Sequence, residues 1–368
     1  MKLLYIVNVD WFFISHRLPI ALAAIKNGYE VHIACGVTNK KSYLESLGIN
    51  VHPISLSRSG TSLLSELKVL KQVWNIVNHV KPDVSHAITI KGVVYGGLVT
   101  RFLKVKMRVA SISGLGYVFI DGSIKARTLK ILIKKLYSFA LGFDTKVIFQ
   151  NRSDESIFLD NIIDKSQSII IRGSGVDLKL LSFTPELTTK KTVMFLARLL
   201  KDKGLIEFCE AAKIVKQDLD VRFVLVGDVD FDNPNSITQR ELADFVSSGA
   251  VEHWGYVANV NEVISKSHIM VLPSYREGLP KSLVEAAACG RAVITTDVPG
   301  CRDAIIPDVT GLLVPVKNIG KLAEAIIELL INDNKRLAMA SAGRLLAEQA
   351  FDINDIVKKH LMIYEGQS

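Results

Sequence analysis

The 368-residue chain reads as an α/β protein built from two doubly wound, Rossmann-like parallel-sheet domains facing a cleft. Three observations predict this. Short apolar runs alternate with helical stretches along most of the length, the pattern of parallel sheets covered by helices on both faces. The alternation breaks once, in a turn-rich polar segment near 173–191, and then restarts. The length itself suits two or three domains at about 150 residues each.

The elements follow in order. A buried-strand run opens the chain at 2–8 (KLLYIVN), a helical stretch at 17–27 ends at Gly28, and a second strand occupies 30–35 (EVHIAC). Strand 51–54, helix 62–80, strand 84–87, helix 92–103 and strands 108–112 and 146–150 continue the series. Apolar residues at helical spacing interleaved with lysines mark 124–143 as a basic amphipathic helix. After the break come strand 192–197 (TVMFLA), helix 203–216, strands 222–226, 269–272 and 292–295, and helices 320–330 and 334–350. The expected domains are 1–183 and 184–350, with a helix in 351–368 returning to the first.

Composition narrows the function classes. No stretch approaches the ~18 uncharged apolar residues of a membrane span, and Asp10, His16 and Arg17 interrupt any signal-peptide pattern. Cys35, Cys209, Cys289 and Cys301 form no C-x-x-C pair and read as reduced, buried thiols. The histidines form no metal-binding spacing, so no metal or cofactor is expected. A cytoplasmic protein is expected.

Charge is unevenly spread within a net +8. Residues 1–175 hold 23 Lys+Arg against 11 Asp+Glu, and residues 176–368 hold 22 against 26. The first half is therefore expected to meet something anionic. Its cations concentrate in Arg101, Lys104, Lys106 and Arg108, and in the 124–143 helix. A basic amphipathic helix suits an anionic membrane surface, or equally a surface helix that packs its apolar stripe on its own domain. Nucleic acid is not expected, because no reader motif is present and aromatics do not interleave with the basic clusters.

Ligands of doubly wound sheets bind where strands end. After strand 192–197 stand Arg198 and Lys203-Gly204, two cations suited to a diphosphate. After strand 269–272 comes Glu277-Gly278-Leu279-Pro280, with Pro280 fitting a first helical position and Gly290 closing a helix of about three turns. Backbone N–H groups at Gly278 and Leu279 then suit phosphate. Glu277 opposes phosphate electrostatically but accepts hydrogen bonds from sugar hydroxyls, and Glu285 suits a ribose diol.

These residues resemble the retaining glycosyltransferases of family 4, with the GT-B fold. Gly227-Asp228, the 173–177 run (GSGVD) and the 311–314 run (GLLV) also match. In the first half, 12–19 (FFISHRLP), 85–91 (SHAITIK) and 113–119 (SGLGYVF) resemble bacterial enzymes that extend polyprenyl-diphosphate-linked glycans, among them N-acetylgalactosaminyltransferases. The resemblance implies an acceptor-binding first domain and a nucleotide-sugar-binding second one. Arg198 and Lys203 would stabilise the leaving diphosphate, with Glu277 catalytic at the donor sugar. Gly278 and Leu279 would donate to the diphosphate, Glu285 would hold the ribose, and Gly227 would let the chain pass close to the nucleotide. His16, Arg17, His86 and Ser113 are the acceptor-side candidates. Two departures stand out: Val9-Asp10-Trp11-Phe12 replaces a glycine pair, and Ser113 or its neighbour stands where many members carry a histidine.

The implied reaction moves a sugar, N-acetylgalactosamine or another HexNAc, from a UDP-sugar to a polyprenyl-diphosphate-linked saccharide in surface-glycan or protein-glycan assembly. The enzyme would sit peripherally on the inner face of the cytoplasmic membrane. The alternatives are another donor or an acceptor such as lipopolysaccharide core or diacylglycerol, a UDP-sugar 2-epimerase on the same fold, and a non-catalytic binding subunit.

Overall fold

The computed structural model describes residues 1–56, 63–115, 124–231 and 233–367. The chain divides into two compact units: residues 1–174 with 354–368, and residues 175–353. The break falls after Ser174, earlier than the 183/184 expected from composition.

Unit 1 is a seven-stranded sheet. Its strands are β1 (Lys2–Val9), β2 (Glu30–Gly36), β3 (Asn50–Pro53), β4 (Val84–Ile88), β5 (Met107–Ile112), β6 (Thr145–Phe149) and β7 (Ser168–Ile170). Their order is β3-β2-β1-β4-β5-β6-β7, and every pair is parallel. Helices α1 (Asp10–His16), α2 (Leu18–Lys26), α3 (Lys41–Ser46), α4 (Leu63–Val80), α5 (Ile90–Phe102), α6 (Ile124–Leu141) and α7 (Arg152–Leu159) connect them. Burial on both faces explains the unbroken apolar runs: Leu3 to Val7 of β1 are fully enclosed.

Unit 2 has six strands, β8 (Thr192–Leu196), β9 (Arg222–Val226), β10 (Glu252–His253), β11 (Ile269–Leu272), β12 (Ala292–Thr296) and β13 (Gly311–Val314), in the order β10-β9-β8-β11-β12-β13. All its pairs are parallel too. Its helices are α8 (Leu205–Asp218), α9 (Gln239–Ser247), α10 (Val260–Ile264), α11 (Lys281–Ala288), α12 (Ile319–Ile331) and α13 (Asp333–Ala350). A final helix, α14 (Ile353–Tyr364), has its residues from 354 onward in unit 1. The four cysteines are buried and unpaired. No helix among the described residues is long and apolar enough to cross a membrane.

Three expectations need correction. The stretch 10–16, unassigned from sequence, is helix α1. Helix α11 is eight residues, shorter than three turns, and Pro280 is its extended N-cap rather than its first helical residue. Helix α8 starts at Leu205, because Gly204 takes a left-handed φ of 75° after a 3-10 turn at Lys201–Lys203. The expected apolar stripe of α6 also divides. Tyr137, Ala140 and Leu141 are the buried face, and Leu129, Leu132, Leu136 and Phe139 point to solvent. The 116–119 end of the 113–119 motif lies outside the described residues.

Candidate active site

In unit 2 the chain runs outward from β8 to β9 and β10 on one side, and from β11 to β12 and β13 on the other. Between β8 and β11 the direction of the strand order reverses, and ligands of doubly wound sheets bind at the carboxyl ends of the strands at such a switch point. The donor-side candidates sit on these loops. Arg198 and Lys203 follow β8, Gly227 follows β9, Glu277 to Leu279 follow β11, and Glu285 lies in α11.

The loops are locked together by backbone approach. A Cβ on Gly204 would lie 2.1 Å from the carbonyl oxygen of Pro273. Only glycine allows both that contact and the left-handed backbone. The Tyr275 N–H donates to the Asp202 carbonyl at 2.9 Å, and the Tyr275 hydroxyl donates to Glu207 Oε1 at 2.6 Å. Gly227 plays the same part between the β8 and β9 loops, where a Cβ would lie 2.0 Å from the Ala197 carbonyl oxygen.

This clamp brings Lys203 and Glu277 into an ion pair across the switch point, with 21% and 11% of their side chains exposed. Ser274 Oγ donates to the same Glu277 Oε1 at 2.7 Å. The Glu277 N–H donates to the Pro299 carbonyl at 3.1 Å, and a Cβ on Gly300 would lie 2.3 Å from the Glu277 carbonyl oxygen. Glu277 is thus held from both ends. Arg198 Nη1 pairs with Asp230 Oδ2 at 2.6 Å. Both expected diphosphate cations therefore already face a carboxylate. A bound diphosphate would have to share or replace those partners.

Glu285 is buried, with Lys281 Nζ at 3.4 Å from its Oε1. Burial raises its pKa, and Lys281 only partly offsets this. Gly278 and Leu279 precede the N-cap, so they lie in the loop and not in the first turn of α11. Sequence reasoning missed Ser274, Asp230 and Gly300. The hydroxyl three residues before Glu277 was the one visible signal; the other two are distant in sequence.

The acceptor-side candidates do not form one cluster. His16 is half-buried, stacked 4.2 Å from Phe12, with Nδ1 3.1 Å from the Phe12 carbonyl. Arg17 is enclosed, its Nη1 donating to the His16 carbonyl at 3.0 Å. His86 is enclosed too: Nδ1 lies 2.7 Å from the Tyr364 hydroxyl and Nε2 2.7 Å from Ser111 Oγ. Burial, then Arg17 and His360, hold its pKa well below the usual histidine value, so it is neutral. Arg17 and His86 are core residues, out of an acceptor's reach. Ser113, directly after β5, has a buried Oγ with no hydrogen-bond partner among the described residues. Asp10, which no motif flagged, is buried at the start of α1 and accepts the Thr38 N–H and hydroxyl at 2.7 and 2.8 Å. It ties the loop after β2 to the start of α1.

Comparison with known proteins bears on both units. Residues 2–151 match the model of the family described as glycosyl transferase 4-like, and residues 180–346 that of the glycosyl transferases group 1. The chain is 30% identical, over 95% of its length and 94% of the relative's, to the N,N'-diacetylbacillosaminyl-diphospho-undecaprenol alpha-1,3-N-acetylgalactosaminyltransferase of Campylobacter jejuni. It is 25% identical, over 76% of its length and 74% of the relative's, to the UDP-Gal:alpha-D-GlcNAc-diphosphoundecaprenol alpha-1,3-galactosyltransferase of Escherichia coli. Among solved structures, Anabaena HepE in complex with UDP superposes with a TM-score of 0.80 at 18% identity, covering 100% of both chains. WaaG, a glycosyltransferase involved in lipopolysaccharide biosynthesis, gives 0.75 at 16% identity, covering 99% of this chain and 100% of that one.

Proposed function

The chain belongs to the group 1 glycosyltransferases of the GT-B fold, and from that premise we propose that it moves a HexNAc residue, with N-acetylgalactosamine the first choice, from a UDP-sugar to a polyprenyl-diphosphate-linked saccharide. The observation that carries the reading is the Lys203–Glu277 pair at the switch point of unit 2, with Arg198 on the same side. The N-acetylgalactosaminyltransferase relative, aligned along nearly the whole chain, supports the choice of donor and acceptor class.

The chemistry needs three things from these residues. Negative charge grows on the departing diphosphate, and Lys203 and Arg198 are the cations placed to take it up, each such contact worth about 3 kcal/mol. As Lys203 turns to the diphosphate, Glu277 keeps its Ser274 hydrogen bond and presents its other oxygen to donor-sugar hydroxyls. Glu285 accepts from the ribose diol, and Gly227 leaves room for the nucleotide. Retention at the anomeric carbon follows the family assignment. Unit 1, with its excess of cations, faces the diphosphate of the acceptor and the anionic membrane that carries it.

The test is a transfer assay in detergent with undecaprenyl-diphosphate-linked HexNAc and UDP-GalNAc, UDP-GlcNAc, UDP-Gal, UDP-Glc or GDP-mannose. A product one sugar larger with UDP-GalNAc, lost in Glu277→Ala and Arg198→Ala, is expected. UDP-sugar isomerisation without acceptor, and no transfer from any donor, would overturn the reading in favour of an epimerase.

A further inference from the structure

Unit 1 carries a concave feature at the amino ends of β5 and β6, the end of the sheet opposite Ser113. There a hollow of about 530 Å3 opens between the turn after α5 and the turn after α6. Arg101, Lys104, Lys106 and Arg108 line it, with Asp144 as the one carboxylate and Phe143 at the side. Arg108 is 4% exposed, and its Nη2 pairs with Asp144. Its Nη1 is buried and has no hydrogen-bond acceptor among the described residues. A buried guanidinium N–H without an acceptor is uncommon in a native fold and calls for a partner.

The neighbouring cation is positioned rather than loose. Arg101 Nη1 donates to the Phe139 carbonyl, and its guanidinium lies 5.2 Å over the Phe139 ring. Gly142, at a φ of 58°, makes the room: a Cβ there would lie 3.1 Å from the Arg101 Cζ. Burial, and secondarily the nearness of Arg101, lower the pKa of Arg108. Two like charges are thus held together with a single exposed carboxylate between them and solvent.

We propose that this hollow is a binding site for a phosphate group, distinct from the donor-side residues of unit 2. The Arg108 and Arg101 forks match tetrahedral oxyanion geometry, and Lys104 and Lys106 add compact charge at the mouth. The phosphate is either that of a lipid headgroup or a free one. Phe102 and Phe143, 62% and 84% exposed beside the hollow, are placed to contact acyl chains in the first case.

The test reads binding rather than transfer, so it stands apart from the sugar-transfer reading. Titration calorimetry of the full chain with inorganic phosphate forms one arm. Flotation with phosphatidylglycerol-containing vesicles, against phosphatidylcholine alone, forms the other. Lys104→Gln/Lys106→Gln, at exposed positions, should weaken binding at least tenfold. Asp144→Asn, which removes the competing carboxylate, should tighten it severalfold. Lys213→Gln/Lys266→Gln, the same charge loss at exposed positions of unit 2, should leave it within twofold. This pattern in the calorimetric arm assigns a free phosphate, and in the vesicle arm alone a headgroup. Binding in neither arm, or equal loss in both double variants, overturns the proposal.

Discussion

Glu285 sets stability against binding within one side chain. Burial raises its pKa, so the folded state holds its proton more tightly than the unfolded chain does. Its contribution to stability is therefore fully present at acid pH and declines as pH rises through the folded pKa. Glu285→Gln, neutral at every pH, should raise the stability of unit 2 at neutral pH by about 1 kcal/mol. The same change should weaken UDP binding, since an amide is a poorer acceptor for a diol. Thermal unfolding and a UDP titration on one preparation check both halves, and unchanged UDP affinity would remove Glu285 from the nucleotide site. Lys203→Ala should lower kcat roughly a hundredfold if it takes up leaving-group charge. A change confined to KM would give it a binding role alone. Arg198, Lys203 and Glu277 are legible in the sequence because each stands in a loop that follows a strand, and Glu285 because it lies in the helix that follows β11. Their pairing is not legible, since Lys203 meets Glu277 only through the adjacency of β8 and β11.

Loops, rather than strands, carry the strictest steric demands. Gly204 satisfies two of them together, a left-handed φ and a carbonyl 2.1 Å from its missing Cβ. Gly204→Ala must push the Lys203 and Glu277 loops apart. It should destabilise unit 2 by roughly 2–4 kcal/mol and reduce transfer beyond what that loss explains. Denaturant unfolding with kinetics at a temperature where the variant stays folded separates the two effects, and wild-type kcat would show that the clamp does not position Lys203. The strands themselves were readable from unbroken apolar runs. Short helices were not: α1 begins Asp-Trp-Phe-Phe-Ile, with apolar residues all round and no period to detect. Helix α6 misled in the other direction, because its apolar residues exceed the face that the sheet covers.

Across the whole molecule, the telling group is the polar cluster of Tyr5, Arg17, His86, Ser111, His360 and Tyr364 in the core of unit 1. Burial and Arg17 push His360 down to about 3, and His86 is lowered for the same reasons with His360 added. Both are neutral when folded and protonate readily when unfolded. Stability is then fully present above pH 6.5, the ordinary histidine value, and falls as pH drops below it. The slope should reach about 1.4 kcal/mol per pH unit for each histidine. Unfolding monitored between pH 7.5 and 5 measures it, and His360→Leu should remove that histidine's share of the slope, about 1.4 kcal/mol per pH unit. A slope unchanged in that variant would place the dependence elsewhere. None of this is visible in sequence, where His86 and Tyr364 stand far apart and His86 reads as an acceptor-side candidate.

The division of unit 1 into residues 1–174 and 354–368 has a consequence for the growing chain on the ribosome. Tyr364, which holds His86 from α14, is delivered only after the whole of unit 2 has been made. Until then His86 Nδ1 lacks its Tyr364 partner and keeps only the Ser111 contact at Nε2, while unit 2 can already close around its own core. The unit that starts first is therefore completed only after unit 2 has been made.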